Sequence, residues 1–146
     1  GGRLSATLPP GADTAKAERV WIGYGADGRP VGFAVRGAEP GFADVVTLLF
    51  GYDPATGRVL GMKVLDNKET PGLGDRIVRD SAFVGGFRGA AAPLAGVKPG
   101  AGTGGENEVD MITGATISSR VVIGIINHRI ERVGPMLAEY TREARP

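Results

Sequence analysis

Two pairs of β-prone runs fill the first half of the chain, and a short turn sequence joins the members of each pair. Residues 19–25 and 30–37 flank the sequence "ADGR", whose Asp-Gly pair is a strong hairpin signal. Residues 44–53 and 58–67 flank "PATG", with proline and glycine where a tight turn favours them. Because a short turn reverses the chain direction, this pattern predicts two β-hairpins.

The later part of the chain has helical periodicity. Residues 75–89 place apolar side chains at helical intervals and predict one or two short helices, with Asp80 or Ser81 as an N-cap. Residues 117–133 carry an apolar stripe at i, i+4 and i+8, which is typical of an amphipathic helix packed on a sheet. The Gly-Pro pair at 134–135 is expected to end or kink that helix, with a second helical piece after it.

Strands come before helices, without regular βαβ alternation. The sequence therefore predicts an α+β fold: a single domain with a largely antiparallel twisted sheet of hairpins packed against C-terminal helices. The length of 146 residues suits one domain. We expect residues 1–17 to be a flexible lead-in left after removal of an anchor or tag, and residues 18–146 to form the domain. The Gly/Ala/Pro-rich residues 89–105 are expected to be mostly loop or an irregular edge strand.

Composition excludes several classes of function. Lys and Arg number 17 against 16 Asp and Glu, so charge gives no reason to expect a nucleic-acid partner. The absence of cysteine excludes disulfides, thiolate metal sites and thiol nucleophiles. The one histidine, His128, lies in an apolar-periodic stretch and is expected on a helix surface. We expect no metal site and no catalytic triad.

Hydroxyl side chains crowd the start of the last apolar stripe, in "TGATISS" at 113–119. Thr116 falls at or next to the helix N-cap, where free backbone N–H groups and the positive end of the helix dipole favour a phosphate. Gly114 permits a positive φ and close approach of a ligand. The alternative is that Thr116 or Ser118 only caps the helix. The hydroxyls able to donate to phosphate oxygens are those of Thr113, Thr116, Ser118 and Ser119.

A second stretch, "DNKETPGLGDR" at 66–76, follows the last predicted strand. Pro71 fixes its own φ, while Gly72 and Gly74 allow turns that other residues avoid. The resulting loop displays Leu73, which can cover a flat aromatic ligand. The alternative is a strand-to-helix turn in which Leu73 fills the core.

Taken together, "KETPGLG" and the later "DMITGATISS" resemble the FMN-binding domain found in the G subunit of Rnf complexes and the C subunit of Na⁺-translocating NADH:quinone reductases. The Rnf type is the nearer of the two. The resemblance covers roughly residues 41–130, and it rests on two separate motifs in the family's order.

The resemblance implies a covalent FMN cofactor. In the family, the signature D-x-x-S/T-G-A-T ends in a threonine whose hydroxyl carries FMN through a phosphoester bond, which here implies Thr116 as the attachment point. The other matching residues are Asp110, Thr113, Gly114 and Ala115. The remaining cofactor-binding residues implied are Ile117, Ser118, Glu69, Thr70, Gly72, Leu73 and Gly74.

The resemblance also implies partners and a location. A separate Mg²⁺-dependent flavin transferase, with FAD as donor, would make the linkage, and other subunits of a membrane redox complex would exchange electrons with the flavin. Family members carry an N-terminal transmembrane anchor, which we expect to have been removed here. The domain would then lie on the extracytoplasmic (periplasmic) side of the bacterial inner membrane. Since the sequence has no run of eighteen apolar residues, we expect this segment itself to be soluble.

The function expected is electron transfer within an Rnf-type ion-translocating oxidoreductase complex, without independent catalytic turnover. The acidic residues Asp66, Glu69 and Asp75 are interpreted as solvated loop charges, because no nucleophile or metal set accompanies them. Three alternatives stay open: an FMN-binding domain of another membrane reductase or extracellular electron-transfer system, a noncovalent module for a phosphorylated ligand, and a purely structural interaction domain.

Overall fold

A five-stranded antiparallel sheet carries one long C-terminal helix on its apolar face. The structure is a computed structural model, and it describes residues 3–7, 20–24, 26, 30–40, 45–66 and 76–144. The strands are β1 (Arg3–Thr7), β2 (Val20–Tyr24), β3 (Pro30–Pro40), β4 (Val45–Asp53) and β5 (Arg58–Asp66). They follow chain order across the sheet, and each is antiparallel to its neighbour.

The hairpin pattern of the sequence is confirmed. Strands β2 and β3 pair along their length, and so do β4 and β5, whose turn contains Gly57 with a φ of 69°. The structure differs from the prediction at Arg3–Thr7, where a lead-in was expected and an edge strand pairs with β2. This strand is held by backbone hydrogen bonds to β2, and the twelve residues between the two strands are too many for a short hairpin turn to indicate the pairing.

Two short helices and a small parallel pair of strands follow the sheet. The helices are α1 (Arg76–Arg79) and α2 (Ser81–Gly85), and the strands are β6 (Ala95–Val97) and β7 (Glu108–Asp110). Asp80 caps α2 by accepting a hydrogen bond from the N–H of Phe83 at 2.9 Å, as the sequence predicts. Most of the Gly/Ala/Pro-rich segment is loop, and β6 is its one short strand among the described residues.

The long helix α3 (Thr116–Ala144) has Pro135 inside it, so of the two predicted outcomes, an end or a kink, the helix does not end at this point. Proline removes one helical hydrogen bond. The neighbouring turns are nevertheless anchored, because Val133 and Leu137 are buried in the core on either side. Of the helices in the described ranges, none combines the length and the apolar character that crossing a membrane requires.

The core lies between the sheet and α3. Alternate residues of β4 point inward, and Val46, Leu48 and Phe50 are all buried. They meet Ile125 and Ile126 of α3 in one apolar cluster. Since each fully buried large apolar side chain stabilises the fold by about 1.5–3 kcal/mol, this cluster fixes the position of α3 on the sheet. The N-terminus of α3 is thereby held in a defined place.

Candidate functional site

The entry turn, residues 112–116, connects β7 to α3. Gly114 has a φ of 82°, which a residue with a side chain rarely adopts. On either side of it, Ile112 and Ala115 are buried, and the amide of Ala115 donates to the carbonyl of Ile112 at 3.0 Å. Thr116 follows as the first helical residue, with its side chain exposed. The turn therefore anchors two apolar side chains in the core and presents a threonine hydroxyl to solvent.

Ser119 holds the entry turn from the inside. Its hydroxyl accepts a hydrogen bond from the N–H of Ile112 at 3.0 Å and donates one to the carbonyl of Ala115 at 2.8 Å. The Ser119 side chain is fully buried. It is therefore not available to a ligand, and the prediction that its hydroxyl serves phosphate oxygens is wrong.

Ser118 is the second buried serine, with 3% of its surface exposed. Within the part of the chain that the structure describes, no residue forms a hydrogen bond with its hydroxyl. Buried hydroxyls normally have a partner, because desolvation without one costs free energy. The hydroxyl of Ser118 is thus a buried polar group whose hydrogen-bonding capacity is unused among the described residues.

The first backbone N–H groups of α3, at and after Thr116, have no helical acceptor. The first helical hydrogen bond of this end runs from the N–H of Ser119 to the carbonyl of Ala115 at 2.9 Å. The amides of Thr116, Ile117 and Ser118 precede it and have no helical acceptor by position. The first turn of α3 contains no acidic side chain of its own that would neutralise the positive end of the helix dipole. This arrangement favours an anion.

Arg76 reaches the entry turn from outside. Its Nη1 donates to the carbonyl of Thr113 at 2.8 Å, and its Nη2 lies 3.3 Å from Oδ2 of Asp80. Arg76 is the last residue of the glycine-rich stretch at 66–76, and no role for its side chain was predicted from the sequence. This contact joins the end of that stretch to the entry turn.

The predicted site residues divide into three groups. The first group lies in the entry turn and consists of Thr113, Gly114, Ala115 and Thr116. Ile117 follows in α3, and its apolar side chain is 57% exposed beside Thr116. Asp110 ends β7 and is exposed. The predicted loop contacts lie outside the described residues: Glu69, Thr70, Gly72, Leu73 and Gly74.

His128 takes no part in this site. It lies on the surface of α3, as predicted, and its Nδ1 is 2.9 Å from Oε1 of Glu39 on β3. The contact joins the helix to the end of β3, and both side chains are partly exposed.

Comparisons with known proteins agree with this geometry. The family model for the FMN-binding domain matches residues 41–131. The G subunit of the ion-translocating oxidoreductase complex of Shewanella loihica is 36% identical over 105 residues, which are 70% of this chain and 49% of that protein. The G subunit of the Na⁺-translocating ferredoxin:NAD⁺ oxidoreductase complex of Acetobacterium woodii is 36% identical over 115 residues, or 77% of this chain and 53% of that protein. The chain thus spans about half the length of these relatives.

A solved structure shares the fold. The crystal structure of the C subunit of Na⁺-translocating NADH-quinone reductase from Parabacteroides distasonis matches with a TM-score of 0.72 and 23% identity, covering 92% of this chain and 77% of the other. The predicted α+β architecture is confirmed by this likeness. The matched residues contain the hairpin β4–β5, both short helices and the entry turn. The chain therefore belongs to the FMN-binding domain family.

Proposed function

We propose that Thr116 carries FMN through a phosphoester bond, and that the domain passes electrons within an ion-translocating oxidoreductase complex of the Rnf type. One observation carries the proposal: the side chain of Thr116 is exposed where the entry turn of an FMN-binding domain meets the first residue of α3. The names of the relatives supply the type of complex.

The described residues fit the phosphate end of FMN. Three backbone N–H groups without helical acceptors surround Thr116, and a phosphodiester at a helix N-terminus is stabilised by about 0.3–1 kcal/mol. An added Cβ at Gly114 would meet no atom of the described residues within 4 Å. The partly exposed side chain of Ile117 and the buried hydroxyl of Ser118 offer an apolar and a polar contact. The proposed neighbours of the flavin ring are Asp110, Glu69, Thr70, Gly72, Leu73 and Gly74.

The attachment step is a phosphoryl transfer. The Oγ of Thr116 attacks the FMN-side phosphorus of FAD, and a new bond forms between that oxygen and phosphorus. The bond from this phosphorus to the bridging oxygen breaks, AMP leaves, and the threonine proton passes to a base or to water. A Mg²⁺-dependent flavin transferase would catalyse the step. Thr116 is therefore the acceptor, and the chain contributes position instead of catalysis.

FMN, once bound, supplies the one- and two-electron chemistry. The chain's role is to hold it, because a covalent tether prevents loss of a cofactor on the extracytoplasmic side of the membrane. Donor and acceptor would be neighbouring subunits of the complex, as the names of the relatives suggest. A membrane anchor outside this segment would keep the domain near them.

Mass spectrometry of the intact chain tests the attachment. Co-expression with a flavin transferase should add the mass of FMN less water, about 438 Da. Thr116→Ala should abolish the adduct. Thr56→Ala is the matched control, because it removes an exposed threonine hydroxyl of the β4–β5 turn and should leave the adduct unchanged. An adduct on the T116A chain, or no adduct on the wild-type chain, would contradict the attachment of FMN to Thr116.

A noncovalent site for a phosphorylated ligand is distinguished by denaturation. A covalent flavin stays with the chain as a fluorescent band in a denaturing gel, whereas a noncovalent ligand is lost. Fluorescence that disappears on denaturation would favour the noncovalent module.

A further inference from the structure

We propose that Arg76 is a positioning residue, which sets the entry turn in the conformation that the flavin transferase modifies. This inference rests on the proposed attachment of FMN to Thr116. It concerns a residue outside the attachment motif, joined to it only by the fold. Arg76 lies 40 residues before Thr116 in the chain and contacts the turn through one backbone carbonyl.

Arg76 binds the backbone carbonyl whose direction depends on the conformation of Gly114. Nη1 of Arg76 donates to the carbonyl of Thr113 at 2.8 Å. This carbonyl belongs to the peptide unit between Thr113 and Gly114, so its direction is linked to the positive φ of Gly114. Glycine has the largest conformational freedom of any residue. Without the guanidinium, Gly114 has other conformations available, and the direction of Thr116 changes with them.

Arg76 is itself held in place. Its Nη2 lies 3.3 Å from Oδ2 of Asp80, while Oδ1 of Asp80 accepts from the N–H of Phe83 at 2.9 Å and caps α2. The neighbouring Ile77 and Phe83 are buried in the core. A chain of contacts therefore runs from the core through Asp80 and Arg76 to the entry turn.

The turn is thus held from two sides. Ser119 fixes the amide of Ile112 and the carbonyl of Ala115 from the buried side. Arg76 fixes the carbonyl of Thr113 from the partly exposed side. Since these contacts involve only groups of the chain itself, the acceptor threonine is oriented before the transferase arrives, which reduces the cost of ordering it on binding.

This role predicts a specific kinetic signature. If the transferase acts on one conformation of the turn, reducing its population raises the apparent KM for the acceptor chain and leaves kcat nearly unchanged. Loss of a charge-assisted hydrogen bond should reduce that population about tenfold. A direct action of the arginine on the transferred phosphate would instead lower kcat.

The test measures flavinylation of the whole apo chain by a flavin transferase with FAD, over a range of chain concentrations. Arg76→Gln should raise the KM for the chain about tenfold. Arg76→Lys keeps the charge and one donor, so it should fall between wild type and R76Q. Arg88→Gln is the matched control, because it removes an exposed arginine that follows α2 and should leave KM unchanged. Asp80→Asn preserves a good N-cap but loses the charge that holds Arg76, and should raise KM less than R76Q does.

Amide hydrogen exchange of the apo chain gives a second readout that requires no flavin. Exchange at Ile112 and Ala115, whose amides are hydrogen-bonded within the entry turn, should accelerate in R76Q, while the middle of α3 keeps its wild-type protection. An unchanged KM together with unchanged exchange would overturn the role of Arg76, and so would a fall in kcat at constant KM. If R76Q fails to fold, the same comparison is made with R76K. If the wild-type chain takes up no flavin while exchange is faster in R76Q than in wild type, the attachment is rejected and the positioning contact stands.

Discussion

The hydroxyl of Ser119 bridges the N–H of Ile112, at 3.0 Å, and the carbonyl of Ala115, at 2.8 Å. One buried side chain thereby supplies partners for two backbone groups of the entry turn. Ser118, the preceding residue, is almost as buried but has no hydrogen-bonding partner among the described residues. Two adjacent serines therefore differ in role: the hydroxyl of Ser119 closes the turn, and the hydroxyl of Ser118 makes no such contact among the described residues.

Ser119→Ala should lower the free energy of unfolding by about 1–3 kcal/mol, because it leaves the buried N–H of Ile112 without an acceptor. Ser118→Ala is the matched control. It removes a buried hydroxyl without a partner, so it should be neutral or stabilise the apo chain by up to about 1 kcal/mol. Urea unfolding of both variants checks this pair. Equal losses in the two variants would contradict the assignment of the closing hydrogen bonds to Ser119.

Gly114→Ala isolates the conformational requirement of the entry turn. An added Cβ would touch nothing within 4 Å, so any loss comes from the φ of 82° and not from a clash. We expect the free energy of unfolding to fall by about 1–2 kcal/mol, the cost of placing an L-residue in the left-handed region. Gly85→Ala at the end of α2 has equal space and no positive φ, and should not destabilise. A smaller loss in G114A than in G85A would argue against this explanation.

The strands of the two hairpins and the start of α3 are predictable because their signals are local. Turn residues at "ADGR" and "PATG" fix the pairs β2–β3 and β4–β5, and the apolar stripe fixes the first turn of the helix. The burial of Ser119 could also be predicted from the helical periodicity. This serine lies three and seven residues before Val122 and Ile126, which are buried on the same stripe of α3.

What the sequence does not reveal depends on contacts between distant segments. The contact of Arg76 with Thr113 spans 37 residues and involves a backbone carbonyl, which has no sequence signature. The continuation of α3 through Pro135 likewise depends on tertiary burial, because a local reading of proline predicts a helix end. In both cases packing against the core decides the outcome.

Pro135→Ala tests whether tertiary packing alone keeps α3 helical at residue 135. Alanine restores an N–H that can donate to the carbonyl of Glu131, and it removes the steric conflict of the proline ring. Because residue 135 is exposed, no core contact is lost. We expect the free energy of unfolding to rise by about 1–3 kcal/mol, measured by urea denaturation. A decrease would mean that the proline ring makes a favourable contribution, and the tertiary explanation would need revision.

Glu108 provides a pH-dependent restraint on the glycine-rich loop between β6 and β7. Its carboxylate accepts hydrogen bonds from the N–H of Thr103, at 2.8 Å to Oε2, and from the Thr103 hydroxyl. The hydroxyl bond is the main cause that holds the pKa of Glu108 below its ordinary value of 4.5, and the backbone amides of Thr103, Gly104 and Gly105 also lower it. Because the pKa is lower in the folded chain, this contribution to stability is present above pH 4.5 and is lost as the pH falls through the folded value.

Glu108→Gln should therefore remove part of the acid dependence of stability. The difference between wild type and E108Q, measured as urea midpoints, should be largest near neutral pH and should shrink below pH 4.5, since the protonated wild-type side chain resembles the amide. Glu106→Gln serves as the control for the change in net charge, because it removes an exposed carboxylate two residues away that pairs with Arg58 instead. A difference that stays constant across the acid range would show that the charged form of Glu108 does not hold the loop.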